Sequence, residues 1–279
     1  MRRVGWLLAA VTAALALAAP AAMAATTTIY RSIPQPLPGN LPSVGFEATS
    51  ASEFGDQVTF AHHARRMASV TVTMSSFACQ QGTWFGADCV TEPGTKFAVP
   101  ITLNLYKALP KVTLPTSSPV LPGSKFASVT KTFRIPYRPS ASVKCAVTNP
   151  GDWFKTGQGC FDALATNITF NLSSLHLRLP NHLVWGVAYN TTHFGYNPIG
   201  ESAACFSTTA GCPYDSLNVS VGPKVNVGSK QYPGTAFQNT SAPSSLCDAT
   251  PTLGVFNLDS PTNACWAGFV PAVQFRATS

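Results

Sequence analysis

The chain has 279 residues, of which 45% are hydrophobic and only 10% charged, with a formal net charge of +7. Its lysines and arginines are scattered, with no run longer than two. That distribution lacks the clustered basic footprint of a protein that tracks a phosphate backbone, so no nucleic-acid partner is expected. Solubility must rest on the plentiful Ser, Thr and Asn side chains, which suits the outer faces of a β-protein.

Residues 1–24 read as a secretory signal peptide. Arg2 and Arg3 precede an apolar stretch from Val4 to Ala19, and Ala22-Met23-Ala24 supplies a small-residue cleavage site. The apolar stretch is short and Ala-rich for a membrane span, and no second long apolar run follows, so no membrane span is expected. Removing Arg2 and Arg3 leaves 16 basic residues against 11 acidic ones, a net +5. The expected location is extracellular. Residues 25–42 read as an extended arm with prolines at 34, 36, 38 and 42. No linker divides residues 43–279, which read as a single domain.

Period-two alternation then marks the strands. Ala68, Val70, Val72 and Met74 alternate with Ser69, Thr71, Thr73 and Ser75. Phe97, Val99, Ile101, Leu103 and Leu105 alternate with Ala98, Pro100, Thr102, Asn104 and Tyr106. Val129, Phe133 and Ile135 share one face of a third run, on which Lys131 is the exception, and Ile168, Phe170 and Leu172 share one face of a fourth. Leu183 to Tyr189 is apolar on both faces and so reads as a central strand. Shorter strands are expected at 44–48, 56–60, 217–221 and 270–275. Pro, Gly, Asn and Ser clusters such as 121–124 and 197–200 separate them, and no window carries a helical period bounded by caps. The fold class expected is all-β: two antiparallel sheets packed face to face as a β-sandwich of jelly-roll type with local disulfides.

Eight cysteines in an exported chain point to disulfides. They fall in four close couples, which favours neighbour pairing: Cys79 with Cys89, Cys145 with Cys160, Cys205 with Cys212, and Cys247 with Cys265. None of the couples has zinc-knuckle spacing.

A resemblance supports the fold. Gly55 to Phe60, Arg66 to Ser75, Ile101 to Tyr106, Ile168 to Leu172 and Leu183 to Asn190 follow one another in an order that resembles the jelly-roll, galactose-binding-like domains of many secreted bacterial proteins. Pro36 to Ser43, Ser52 to Val58, Gly186 to Thr191 and Pro213 to Val219 are similar to segments of a largely uncharacterised group of such exported proteins. The resemblance covers nearly all of the mature chain and implies a jelly roll, but no activity or catalytic residue. Members of that group often end in a sorting tail; this chain stops at Ser279 without an apolar anchor, which implies release.

The motifs of common hydrolases are missing: there is no Gly-x-Ser-x-Gly elbow and no His-Glu-x-x-His pair. Glycoside hydrolysis would need two carboxylates on one cleft. Glu47, Glu53 and Asp56 are near one another in sequence, and read first as solvated turn and edge chemistry, next as ligands of a structural calcium ion, and last as catalytic groups. No other cofactor is expected. His62 and His63 fall in a turn and His176 points outward, whereas His193 and Tyr196 lie in a loop, 190–197, rich in donors and rings. Five Asn-x-Ser/Thr triplets, at Asn167, Asn171, Asn190, Asn218 and Asn239, match chance in so Asn- and Thr-rich a chain.

Aromatic side chains on disulfide-fixed loops suit saccharide binding, because rings cover the C–H faces of sugars while amides and carboxylates take the hydroxyls. Trp84 lies between Cys79 and Cys89, Trp153 between Cys145 and Cys160, and Trp266 directly after Cys265. With His193 and Tyr196 they form the expected contact set for a polysaccharide or cell-surface polymer; the competing expectation is that each ring covers its own disulfide or plugs an end of the sandwich. The leading expectation is therefore a non-catalytic binding protein. A polysaccharide hydrolase or lyase on the same fold is the alternative, and a structural matrix or coat component the third reading.

Overall fold

The computed structural model describes residues 25–46, 49–108, 113, 119–147, 149–190, 217–241, 252–259 and 266–279. Among them the regular structure is antiparallel β, with two single-turn 3-10 segments at Val143–Cys145 and Ser173–Leu175 and no α-helix. No helix among the described residues is long and apolar enough to cross a membrane. The all-β, disulfide-bearing sandwich expected from the sequence is the fold observed.

One sheet is built around β4 (Arg66–Ser76). Its two edges are both taken: β9 (Leu164–Asn171) pairs along one, and β15 (Val273–Thr278) followed by β11 (Leu217–Gly222) along the other. The edge strand β1 (Thr27–Arg31) joins β15, while β2 (Ser43–Val44) and β14 (Val270–Pro271) join β11. The segment expected as an extended arm thus begins as a strand. The second sheet runs β13 (Asn257–Asp259), β12 (Ala236–Thr240), β3 (Ala51–Thr59), β10 (His182–Ala188), β5 (Lys96–Lys107), β6 (Lys125–Pro136). The run read as apolar on both faces, β10, does sit between two neighbours, β3 and β5.

The core follows from the pleat, which sends alternate side chains to opposite faces. Val70, Val72 and Met74 of β4 meet Phe54 and Val58 of β3, Val99, Ile101, Leu103 and Leu105 of β5 and Leu183, Trp185 and Val187 of β10 in one apolar cluster. Hydroxyls lace the opposite face of the first sheet: Thr71 Oγ1 lies 2.9 Å from Thr169 Oγ1, and Thr73 donates to Asn167 Oδ1 at 2.7 Å. Lys131, the exception in its run, donates to the Thr169 carbonyl at 3.2 Å with its ammonium 4.9 Å from the Phe133 ring. Together with the edge-on contact of Phe133 and Phe170 it ties strand β6 to β9 and closes that side of the sandwich.

Asp56 breaks the apolar rule. It is paired with Trp185 across β3 and β10, and so lies on the core face, where its carboxylate meets Lys230 at 2.7 Å. Both side chains are almost wholly buried. Lys230 also donates to the Thr235 carbonyl at 2.6 Å, and the Gln57 N–H donates to Asp56 at 2.8 Å. Burial pushes the Asp56 carboxyl up to about 6, against the pull of Lys230 and of the Gln57 N–H. Because this folded value lies above the ordinary carboxylate value, the contribution of Asp56 to stability is complete below about pH 4 and is lost as pH rises through about 6. Relative to Asp56→Asn, the wild-type protein should therefore lose unfolding free energy between pH 4 and pH 6 in urea titrations. At pH 7 Lys230→Met leaves the Asp56 carboxylate buried without its cation and should cost about 3–5 kcal/mol, most of it recovered when Asp56→Asn is added.

Candidate functional site

Where β4 ends, Phe77 leaves the sheet and the chain enters a loop that the Cys79–Cys89 bridge folds back on itself, with Cα atoms 5.6 Å apart. A short hairpin, β7 (Trp153–Lys155) and β8 (Gly159–Phe161), is stapled to the preceding 3-10 turn by Cys145–Cys160, 5.8 Å between Cα atoms. These are the first two of the expected neighbour pairs; Cys205, Cys212, Cys247 and Cys265 lie outside the described residues.

The stapled loop and hairpin lock together. Trp84 donates its indole N–H to Asp152 Oδ1 at 3.0 Å, and the Ser142 N–H donates to the Asp152 carbonyl at 2.8 Å. Gly151 has φ +97°, and a Cβ there would stand 2.4 Å from the Trp84 carbonyl, so both the backbone turn and the close approach require glycine. Arg138 is fully buried beneath them, hydrogen-bonded through its guanidinium to the Gly151 carbonyl and through its N–H to the Ala78 carbonyl at 2.9 Å. Burial lowers the Arg138 value to about 10, opposed by the charges of Asp152 and Asp162.

Adjacent residues on both stapled segments point opposite ways. Trp153 is buried and donates to the Ala163 carbonyl at 2.7 Å, while its neighbour Phe154 is partly exposed beneath Lys144, whose ammonium is 4.7 Å from the ring. Trp84 is half-buried, and its neighbour Phe85 is 79% exposed. The two tryptophans back other rings: Trp84 meets Phe77 edge-on with centroids 5.4 Å apart, and Trp153 lies 5.5 Å from Phe161.

Phe77 and Phe161 line a cavity of about 540 Å³ together with Asn40, Leu41, Pro42, Ser43, Gly45, Asp162 and Asn218. One wall is the Pro-rich segment, docked on the hairpin by polar contacts. Gly39 lies flat on the Phe161 ring, where a Cβ would come within 2.5 Å of ring carbons. Its N–H donates to Gln158 at 3.0 Å, and its carbonyl accepts from the Ala165 N–H at 2.9 Å. Asn40 donates to Asp162 Oδ1 at 2.7 Å and accepts from Ser75 at 2.8 Å. Asp162 Oδ1 also accepts from the Ala163 N–H at 2.8 Å. On the far side Asn218 donates to Ser43 Oγ at 3.2 Å.

A second polar constellation covers the outer face of the β13–β6 sheet. Glu53 lies across β10 at Gly186, where a Cβ would meet its Oε1 at 2.5 Å, and so reaches β5 two strands away. There Tyr106 donates to its carboxylate at 2.9 Å and Asn104 at 2.9 Å, and Asn104 accepts in turn from Ser128 at 2.8 Å. Burial raises the Glu53 carboxyl, while Asn104, Tyr106 and Lys125 pull it down. Glu53 and Asp56, three residues apart on one strand, necessarily face opposite sides of the sheet. They therefore share neither a cleft nor a cation, and Glu47 lies outside the described residues. Among the described residues no group of three or more His, Cys, Asp or Glu is placed to hold a metal ion.

Of the residues expected to contact a ligand, Trp84 and Trp153 come together in the stapled unit behind the cleft lining. Trp266 is elsewhere, donating to Asp259 at 2.7 Å with its ring 5.6 Å from Phe54. His193 and Tyr196 lie outside the described residues. Sequence reasoning missed Phe77, Phe161, Asp162, Asn40 and Asn218. Phe77 precedes Cys79 by two residues and Phe161 follows Cys160 directly, so a search for rings flanking the cysteine couples, rather than only between them, would have found both.

Compared with known proteins, the chain matches no family model, no curated protein and no solved structure.

Gly151→Ala should lower stability by about 1–3 kcal/mol, through both the positive φ and the contact with the Trp84 carbonyl. Thermal melts followed by Trp fluorescence and by far-UV circular dichroism would check it; an unchanged midpoint would show that the loop and hairpin do not depend on this contact.

Proposed function

We propose that this chain is an exported, non-catalytic binding protein for a polysaccharide or another glycosylated cell-surface polymer, and that the cleft between the Pro-rich segment and the stapled hairpin holds the saccharide. The observation that carries the reading is the lining of that cleft. Two phenylalanine rings, each backed by a tryptophan, stand beside two amides, a hydroxyl and a carboxylate within one cavity. Such a site offers apolar surface to the C–H face of a sugar and fixed acceptors and donors to its hydroxyl edge. The volume falls in the range of small-molecule sites. Export is supported by the three-zone N-terminus and by two disulfides, which persist in oxidising compartments. The jelly-roll, galactose-binding-like kinship proposed from the sequence agrees with this reading in fold class.

Among the described residues the cleft lining offers one carboxylate where glycoside hydrolysis uses two, which favours binding over hydrolysis there. The enzyme alternative rests on Glu53 and Tyr106, a hydrogen-bonded pair with a carboxyl value raised by burial. It would show itself as release of sugar fragments that Glu53→Gln abolishes.

Phe161→Ala removes one ring from the cleft lining and should weaken binding of a captured glycan about tenfold, the equivalent of about 1.4 kcal/mol. Pull-down of the oxidised mature protein on insoluble polysaccharides, followed by calorimetry on the ligand found, measures this. Failure of the wild-type protein to bind any of them would refute the assignment.

A further inference from the structure

The cleft's charge specifies its ligand further than the rings do. Among the described residues Asp162 is the only ionisable one in the lining, with no Lys, Arg or His beside it there. Its Oδ1 is committed to two donors, the Asn40 amide and the Ala163 N–H, which fix the plane of the carboxylate. That leaves Oδ2 as the acceptor for whatever enters. Behind the lining, buried Arg138 feels the charge of Asp152 first and of Asp162 second, and forms an ion pair within 4 Å with neither. The formal charges of Asp152, Asp162 and Arg138 sum to −1. The ring faces of Phe77 and Phe161 in the same lining attract cations as well.

We infer, on the footing of the saccharide reading above, that the cleft selects a sugar unit bearing a free ammonium group, an amino sugar rather than a neutral, N-acetylated or acidic one, with the ammonium donating to Asp162 Oδ2. A charge-assisted N–H···O⁻ bond is about twice as strong as its neutral counterpart. An N-acetyl group would present a weaker donor with added bulk, a hydroxyl would forgo the charge, and a uronate would meet Asp162 with like charge. The protein's overall positive charge opposes the same ligand at long range, so selection arises inside the cleft and should persist at salt concentrations that screen the surface.

The test is calorimetric titration of the mature, disulfide-intact protein with three oligosaccharides of one length and linkage: fully deacetylated β-1,4-linked glucosamine, its fully N-acetylated form, and the corresponding β-1,4-glucan. The deacetylated oligomer should bind at least about tenfold more tightly than the other two at pH 6 and 0.15 M salt. Asp162→Asn keeps an acceptor oxygen for Asn40 and Ala163 and should reduce this preference to within about twofold, with the melting temperature checked for each variant. Equal affinity for all three oligomers would overturn the ammonium inference while leaving the saccharide reading intact. Binding of none would overturn both. A preference that survives in folded Asp162→Asn would remove Asp162 from the role assigned to it.

Discussion

Strand β4 carries backbone ladders on both of its edges along most of its length, and the remaining structure hangs on that double pairing. A strand so placed has no exposed edge to slip along, and its apolar face fixes the register, because a one-residue shift would move Val70, Val72 and Met74 onto the hydroxyl-laced face and Thr71 and Thr73 into the apolar core. Its C-terminal end then delivers Phe77 and Cys79 to a fixed place. The loop closed by the first disulfide, the stapled hairpin and the Pro-rich segment are all positioned from there: Ser75 bonds Asn40, and the Arg138 N–H bonds the Ala78 carbonyl.

Polar contacts join the distant segments that form the candidate cleft. Its walls come from segments as far apart as Asn40 and Asp162, joined by a side-chain hydrogen bond, and from Asn218 on β11, joined to Ser43. Beneath it Arg138 is buried with its Nε and Nη1 lacking hydrogen-bond partners, an arrangement the two nearby carboxylates make tolerable. The unit around it is small and rich in loops, and so has little core of its own. Two disulfides, and the indole N–H bonds of Trp84 and Trp153, supply order that burial alone does not.

The carboxylates illustrate how one strand separates functions. Glu53 faces outward into a network with Tyr106 and Asn104, made accessible by the missing side chain at Gly186. Asp56 faces inward to Lys230. Proximity in sequence suggested a shared site; the two-residue period of the strand forbids it. Asp162, which sequence reading passed over, is instead the carboxylate that lines a cavity, because the turn between β8 and β9 brings it against a segment 122 residues earlier in the chain.

What the sequence by itself determined is what local period and composition can encode. The alternating runs located β4, β5, β6, β9 and β10, the doubly apolar run marked the interior position of β10, and cysteine spacing gave the Cys79–Cys89 and Cys145–Cys160 pairs. Strands too short to show a period, β7, β8 and β13, escaped notice, as did β1 and β12. Tertiary structure alone decided which aromatic of each Trp-Phe couple turns inward. Trp84 and Trp153 stand against Phe77 and Phe161, because an indole ring offers a large apolar face together with one N–H, and an interior carboxylate or carbonyl satisfies that N–H. Side-chain direction at such positions is settled by partners far away in sequence, here Asp152 for Trp84, and no local pattern in the chain contains that information.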